Sequence, residues 1–341
     1  MRRSARKFAL VAVALLAAIA LAACGEKKDV LTPTASKEQP LNLMLDWLPN
    51  ADHVGIYDAL AKGYFAAAGL NVHVQTPTDP ASPLQLLAAG KVDVAISYEP
   101  ELMLARDKGE PLVAIGAIVQ RPLTSIVSLG SKHITSPAQL RGKRVGDAGI
   151  QYQHAFLETI LRHAGVPPKS VTETNVGANL VPALLSGRID AALGAYWNYE
   201  AIQLAQDGKH PNVIHVEKAG VPTYDELVLV TTENDIASKT NELRRFVQAV
   251  GRGYEAVRAN PQAGVQALVR ANPSLSPKLQ QASVNATLPW YFPAGSGLPW
   301  GWQNGREWTA FGEWMLRQHL ISNPATVPGA ETNQLLAGQG P

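Results

Sequence analysis

Three short stretches of this 341-residue chain place aromatic rings beside carboxylates and amides, next to apolar runs. "LDWLPNADH" offers Asp46, Trp47, Asn50 and His53; "AISYEPE" offers Ser97, Tyr98, Glu99 and Glu101. "LGAYWNYE" offers Tyr196, Trp197, Asn198, Tyr199 and Glu200, and a fourth stretch, "PTYDEL", adds Tyr224, Asp225 and Glu226. Five polar-tipped residues in a row after a strand make a poor core and a good pocket wall. Aromatic faces stack a planar ring at about 1–3 kcal/mol each. A hydrogen bond to a charged group contributes about 1.5–3 kcal/mol. Two such faces and one carboxylate contact support roughly micromolar binding. The plainer alternatives are a solvated loop with surface tyrosines, a helix cap at Asn50 or Asp52, and a core plug at Trp47. The pattern favours the cap for Asp52 and leaves Trp47 and Asn50 open.

Catalysis has thinner support. The chain contains no G-x-S-x-G, no H-E-x-x-H and no glycine-rich phosphate loop. Cys24 is its one cysteine, so an internal disulfide and a cysteine-based metal site are excluded. Glu99 and Glu101 could be imagined as an acid–base pair, but nothing beside them supplies a nucleophile or a metal. The residues describe a binding protein with no cofactor, not an enzyme.

The elements that must position these residues follow a strand–helix rhythm. "LNLMLDW" alternates as a strand, 54–65 has helical spacing, "NVHVQT" is a second strand, 83–89 a helix closed by Gly90, and "VDVAIS" a buried-type strand. The rhythm restarts with a strand at 124–129 and a short helix capped by Ser136. Strands follow at 143–149, 170–176 and 189–195, with helices at 152–163 and 180–186, the latter closed by Gly187. A strand at 225–232 returns before helices at 239–259, 261–271, 277–287 and 307–319. Two α/β units of mostly parallel strands are expected, with a helical C-terminal part. "LLAAGKVDVAISYEPE" and "LLSGRIDAALGAYWNYE" are two versions of one device. If the copies face each other, their strand ends form the walls of one cleft. The apolar strands near 124–129 and 226–232 sit at the junctions, where they could cross between the lobes. Trp290, Trp300 and Trp302 are candidates for the cleft rim, whereas helical packing suits Trp308 and Trp314.

The composition is globular, with 46% hydrophobic and 17% charged residues. Arg2, Arg3, Arg6 and Lys7 precede the apolar run 8–20 and "LAAC", as in a secretory signal. "LAAC" is similar to the bacterial lipobox, which makes Cys24 the expected lipidation site after cleavage; a plain signal peptide is the alternative. Residues 24–40 are polar and read as a tether. Loss of residues 1–23 removes four positive charges and takes the net charge from +2 to −2. No clustered basic face remains for nucleic acid.

From about residue 41 to 320 the chain resembles the periplasmic substrate-binding proteins of ABC transporters that carry thiamine-pyrimidine precursors. These are relatives of the fungal thiamine pyrimidine synthases. The resemblance rests on "LDWLPNADHVGIYDALAKGYF", "GKVDVAISYEP", "AIGAIVQRPLTSIVSL", "RIDAALGAYWNYE" and "GVPTYDELVLV", in that order. It implies the α/β type II periplasmic binding protein fold, two lobes joined by a two-strand hinge. Residues 41–125 with 226–341 then form one lobe and 126–225 the other. It implies an aminopyrimidine held by Trp47 and Asn50 from one lobe and Tyr196 and Glu200 from the other, with Tyr98, Glu99, Trp197 and Tyr224 next in line. A monomer, lipid-anchored at the outer face of the membrane or in the periplasm and partnered by an ABC permease, completes the implication. Riboflavin or a sulfonate on the same scaffold is the alternative, although a sulfonate wants an anion cradle. The synthases resembled here use a lysine that holds pyridoxal phosphate and a histidine four residues on. Those positions look like Ser97 and Glu101, so the pyridoxal-phosphate enzyme is the least supported reading.

Overall fold

The computed structural model describes residues 38–294 and 297–339, so the expected signal, Cys24 and most of the tether lie outside the described residues. Strands β1 (Gln39–Met44), β2 (Leu70–Gln75), β3 (Val94–Ser97) and β4 (Leu112–Val119) open a first sheet. A second sheet consists of β5 (Thr124–Ser128), β6 (Arg144–Asp147), β7 (Thr172–Asn175), β8 (Ala191–Tyr196) and β9 (Asn212–His215). The chain then returns to the first sheet as β10 (Leu227–Thr232). The strand orders are β2-β1-β3-β10-β4 and β7-β6-β8-β5-β9. In both, the fourth strand alone runs antiparallel to its neighbours. Each reversed strand, β5 or β10, is the one entered directly after the chain changes sheets.

The strands at 124–128 and 227–232 therefore do not themselves cross. Each lies wholly within one sheet, and the crossings are the short segments 120–123 and 219–226 that precede them. We place the division between the lobes at these crossings. Glu226 ties them together. Its Oε2 accepts from the backbone N–H of Leu123 at 2.6 Å and of Thr124 at 2.7 Å, and its Oε1 accepts from Thr124 Oγ1 at 2.8 Å.

The repeated device has a structural explanation. Gly90 and Gly187 take left-handed backbone angles, φ 65° and 70°, which end the preceding helices without a Cβ penalty. The aspartates that follow, Asp93 and Asp190, each accept the backbone N–H of a residue in the neighbouring strand, Asn42 of β1 at 2.8 Å and Arg144 of β6 at 3.0 Å. Arg144 and Lys132 also donate to Asp190, and their hydrogen bonds hold its carboxyl far below the usual range. Burial works to raise Asp93, but the bonds from Asn42 and Lys239 outweigh it and leave it lowered. The Gly–basic–apolar–Asp string thus locks each inner strand to its partner.

Four elements escape the sequence rhythm: β4, β9 and the helices Glu99–Asp107 and Glu200–Gln206. β4 is buried along its whole length, so it reads as an unbroken apolar run without alternation. The two helices begin at the acids that end the aromatic clusters, where a carboxylate complements the positive helix end. The C-terminal helices pack on the first sheet's side; Phe246 of the helix Glu233–Ala259 stacks on Phe65 with ring centroids 5.7 Å apart.

Candidate functional site

The carboxyl ends of β1, β3, β6 and β8 converge on a cleft of about 370 Å³, counting the space at its mouth that is open to solvent, where open α/β sheets place their ligands. The first sheet contributes Asp46, Trp47, Asn50 and Tyr98; the second contributes Tyr152, Gln153, Tyr196, Tyr199 and Glu200. Trp47 packs against both apolar clusters, one that runs across the two sheets and one confined to the second.

Asp46 follows β1 and is almost fully buried. Its two oxygens have separate donors, His53 Nε2 at 2.8 Å and the Tyr98 hydroxyl at 2.9 Å. The backbone N–H of Asn50 donates to His53 Nδ1 at 3.2 Å, so Nδ1 is the acceptor and Nε2 carries the proton toward Asp46. A neutral imidazole thus braces the carboxylate that orients Tyr98. Asn50 caps the turn at residues 51–53: its Oδ1 accepts from the Asp52 N–H at 2.8 Å and its Nδ2 donates to the Leu48 carbonyl at 3.1 Å. Most of its amide is spent on the loop, and only its remaining edge meets the cleft.

Glu200 opens its helix, and its Oε2 accepts from the Tyr196 backbone N–H at 2.7 Å. Desolvation in the enclosed cleft outweighs that bond and pushes its carboxyl up to about 7. Tyr196 donates its hydroxyl to Glu226 Oε1 at 3.3 Å, connecting the cleft wall to the crossings. Burial raises Glu226 to about 7 despite its donors from Leu123, Thr124, Tyr224 and Tyr196.

Tyr152 and Gln153 were not anticipated. They stand on the first turn of the helix Gln151–His163, just past the carboxyl end of β6. The sequence signal was positional: β6 occupies in the second sheet the place that β1 occupies in the first. The Tyr152 ring lies 5.4 Å from Tyr98, tilted by 54°, which makes a two-walled aromatic corner spanning both lobes. Gln153 accepts from the Ala148 N–H at 2.8 Å, and its side chain lines the cleft beside Tyr152. Gly194 permits this, since a Cβ there would lie 2.2 Å from Gln153 Nε2, and its φ is 90°.

Three of the expected residues are not brought to the cleft wall. Glu99 is buried and accepts from the Asp225 N–H at 2.7 Å, clamping the second crossing. Tyr224 packs between Phe156 and Phe311 and donates to Glu226 at 3.1 Å. Trp197 donates from Nε1 to the Pro122 carbonyl at 3.1 Å, on the first crossing. All three brace the connections between the sheets. Ser97 and Glu101, on the same stretch as Tyr98, are hydrogen-bonded to each other at 2.5 Å.

Polar contacts also close the cleft at its rims. Asn198 Nδ2 donates to Asp52 Oδ1 at 2.9 Å and to Thr287 Oγ1 at 2.7 Å. On the other side Lys108 Nζ donates to Gln151 Oε1 at 2.6 Å.

Two five-stranded sheets with a reversed fourth strand, joined by two crossings over such a cleft, are the architecture of the periplasmic binding proteins. The alkanesulfonate-binding protein SsuA from Xanthomonas axonopodis pv. citri, bound to MOPS, shares the fold with a TM-score of 0.68 and 14% identity, over 86% of this chain and 98% of that one. The chain belongs to the family described as NMT1/THI5 like, whose model matches residues 50–264. It is similar to the formylaminopyrimidine-binding protein of Halalkalibacterium halodurans, 34% identical over 93% of this chain and 96% of that protein. A putative thiamine biosynthesis protein of Haemophilus influenzae is 38% identical over 75% of this chain and 81% of its own length.

Proposed function

We propose that the protein is the solute receptor of an ABC importer and takes a 4-aminopyrimidine precursor of thiamine, of the hydroxymethyl or formylaminomethyl type, into this cleft. The observation that carries the reading is the composition of the wall. Tyr98, Tyr152, Tyr196 and Trp47 supply faces for a flat ring, and Glu200, Asp46 and the Gln153 amide supply acceptors and a donor for its edge. Its lining holds two carboxylates and no lysine or arginine, which suits an amino-heterocycle and opposes a sulfonate. The related formylaminopyrimidine-binding protein supports the same ligand class.

The ring bridges the lobes, and its differential affinity for the closed form drives closure, which the permease reads. Binding, with no covalent step, is the whole task. We further propose an extracytoplasmic location for the monomer, anchored through Cys24. The test is calorimetric titration of the chain truncated after Cys24. The titrants are 4-amino-5-hydroxymethyl-2-methylpyrimidine and its formylaminomethyl analogue, with riboflavin as control. Micromolar or tighter binding of a pyrimidine without a riboflavin response is expected; silence with both pyrimidines overturns the ligand assignment.

A further inference from the structure

A second cavity, about 650 Å³ counting space open to solvent, lies apart from the ligand cleft between the crossings and the segment that precedes the helix Gly305–Arg317. Trp290, Phe292 and Trp302 line it together with Arg121, Asp225 and Glu307. Its character is aromatic and acidic.

Asp225 is 93% buried by its 7% exposure. Its Oδ2 accepts from Trp308 Nε1 at 2.7 Å, and its Oδ1, open to the cavity that the side chain lines, has no hydrogen-bond donor among the described residues. Behind it stand the carboxyls of Glu99, Glu307 and Glu331, close enough that burial and mutual repulsion raise Glu99 and Asp225 together. Arg121 answers this group but is engaged with Glu307 at 3.0 Å. Arg258 covers one face of Phe292, 4.3 Å from its centroid, and leaves the indoles of Trp290 and Trp302 on the wall. Among the described residues no three His, Cys, Asp or Glu side chains are placed to hold a metal ion.

A carboxylate oxygen that faces the cavity without a protein donor, beside two indoles, meets the requirements of a site for a small organic cation. Indole faces attract a desolvated ammonium group, and a carboxylate fixes its position. We propose that this cavity is a second binding site, distinct from the cleft, for a small ammonium compound. The ammonium group contacts Asp225 Oδ1 and rests against Trp290 and Trp302.

The test is equilibrium dialysis at pH 8 with choline as the probe and its uncharged isostere 3,3-dimethyl-1-butanol as the control. Choline is expected to bind with a dissociation constant on the order of 1 mM or tighter, at least tenfold better than the isostere. Asp225→Asn, and separately Trp290→Leu at the partly exposed rim, are each expected to weaken choline at least fivefold. Both variants are expected to leave pyrimidine binding at the cleft unchanged, which also shows that they fold. Equal uptake of choline and the isostere overturns the proposal. So does full choline affinity in both variants, or displacement of choline by a saturating pyrimidine, which would put the cation in the cleft. Because the pyrimidine titration is read separately, failure here leaves the cleft assignment standing.

Discussion

Replacement of Glu200 by glutamine is the sharpest perturbation of the cleft. The amide keeps the shape and still accepts the Tyr196 N–H through its carbonyl oxygen, so the helix start at Glu200 should survive. What disappears is the charge. A hydrogen bond to a charged group contributes about 1.5–3 kcal/mol and a neutral one about 0.5–1.5. The difference, about 1–1.5 kcal/mol, corresponds to roughly tenfold in affinity. The pH dependence is more telling. Before binding, desolvation holds Glu200 at about 7, and an amino group donating to it favours the ionised form. Binding therefore releases a proton below that value. Affinity is fully present above pH 7 and falls as pH drops, by at most about tenfold per unit. Calorimetry of both proteins from pH 8 to 5.5 gives the ratio of their affinities, in which the ligand's own titration cancels. The ratio should shrink toward one at the acid end. A glutamine variant that binds like the wild type at pH 8, or a ratio that stays constant with pH, would refute the role assigned to Glu200.

Three further outcomes can be checked by thermal and binding measurements. Glu226→Gln keeps one oxygen for the Leu123 and Thr124 N–H groups but removes the charge and puts an amide NH2 where Oε1 accepts from the Thr124 and Tyr196 hydroxyls; a loss of roughly 2 kcal/mol in chemical denaturation at pH 8 is expected, and no measurable loss would show that the crossings hold without the carboxylate. Gly194→Ala pushes a methyl into Gln153 and strains a positive φ; pyrimidine affinity should drop at least tenfold while the fold persists, and unchanged affinity would remove Gln153 from the site. Burial raises Glu101 and Glu226 to about 7 and Asp52 to about 6, all above their unfolded values near 4. The folded protein then holds protons that the unfolded chain has released between pH 4.5 and 7. This stabilisation is present at low pH and is lost as pH rises through that window, by about 1.4 kcal/mol per unit for each proton. The ligand-free protein should melt higher at pH 5.5 than at pH 7.5, and the reverse order would contradict the assignment.

Much of this was legible in the residues. The duplicated leucine–glycine–basic–aspartate device announced two equivalent α/β units, because glycine stops and apolar runs act locally and need no partner to be recognised. The aromatic and acidic ends of that device marked Tyr98, Tyr196 and Glu200 as candidate wall residues, because clustered polar-tipped rings are out of place in a core, whereas the pattern left Trp47, after the first strand, open between wall and core. Composition and the N-terminal charge pattern set the net charge and the expected processing.

Other features existed only once the chain had folded. Neighbours such as Tyr196 and Trp197, or Asp225 and Glu226, are equally plausible cleft residues by type. An extended backbone sends adjacent side chains to opposite sides, and the register of the sheets decides which side faces the cleft. The helix start, turn and crossing that carry Glu99, Trp197 and Tyr224 aim them at the connections between the sheets, and Tyr152 and Gln153 enter the wall from a helix that carries no motif. The reversal of β5 and β10 is likewise absent from a single strand's pattern, since direction is fixed by the crossing that leads into it. The raised carboxyls of Asp52, Glu101, Glu200 and Glu226 follow the same rule: desolvation depends on what closes over a group, and only the tertiary structure supplies that cover.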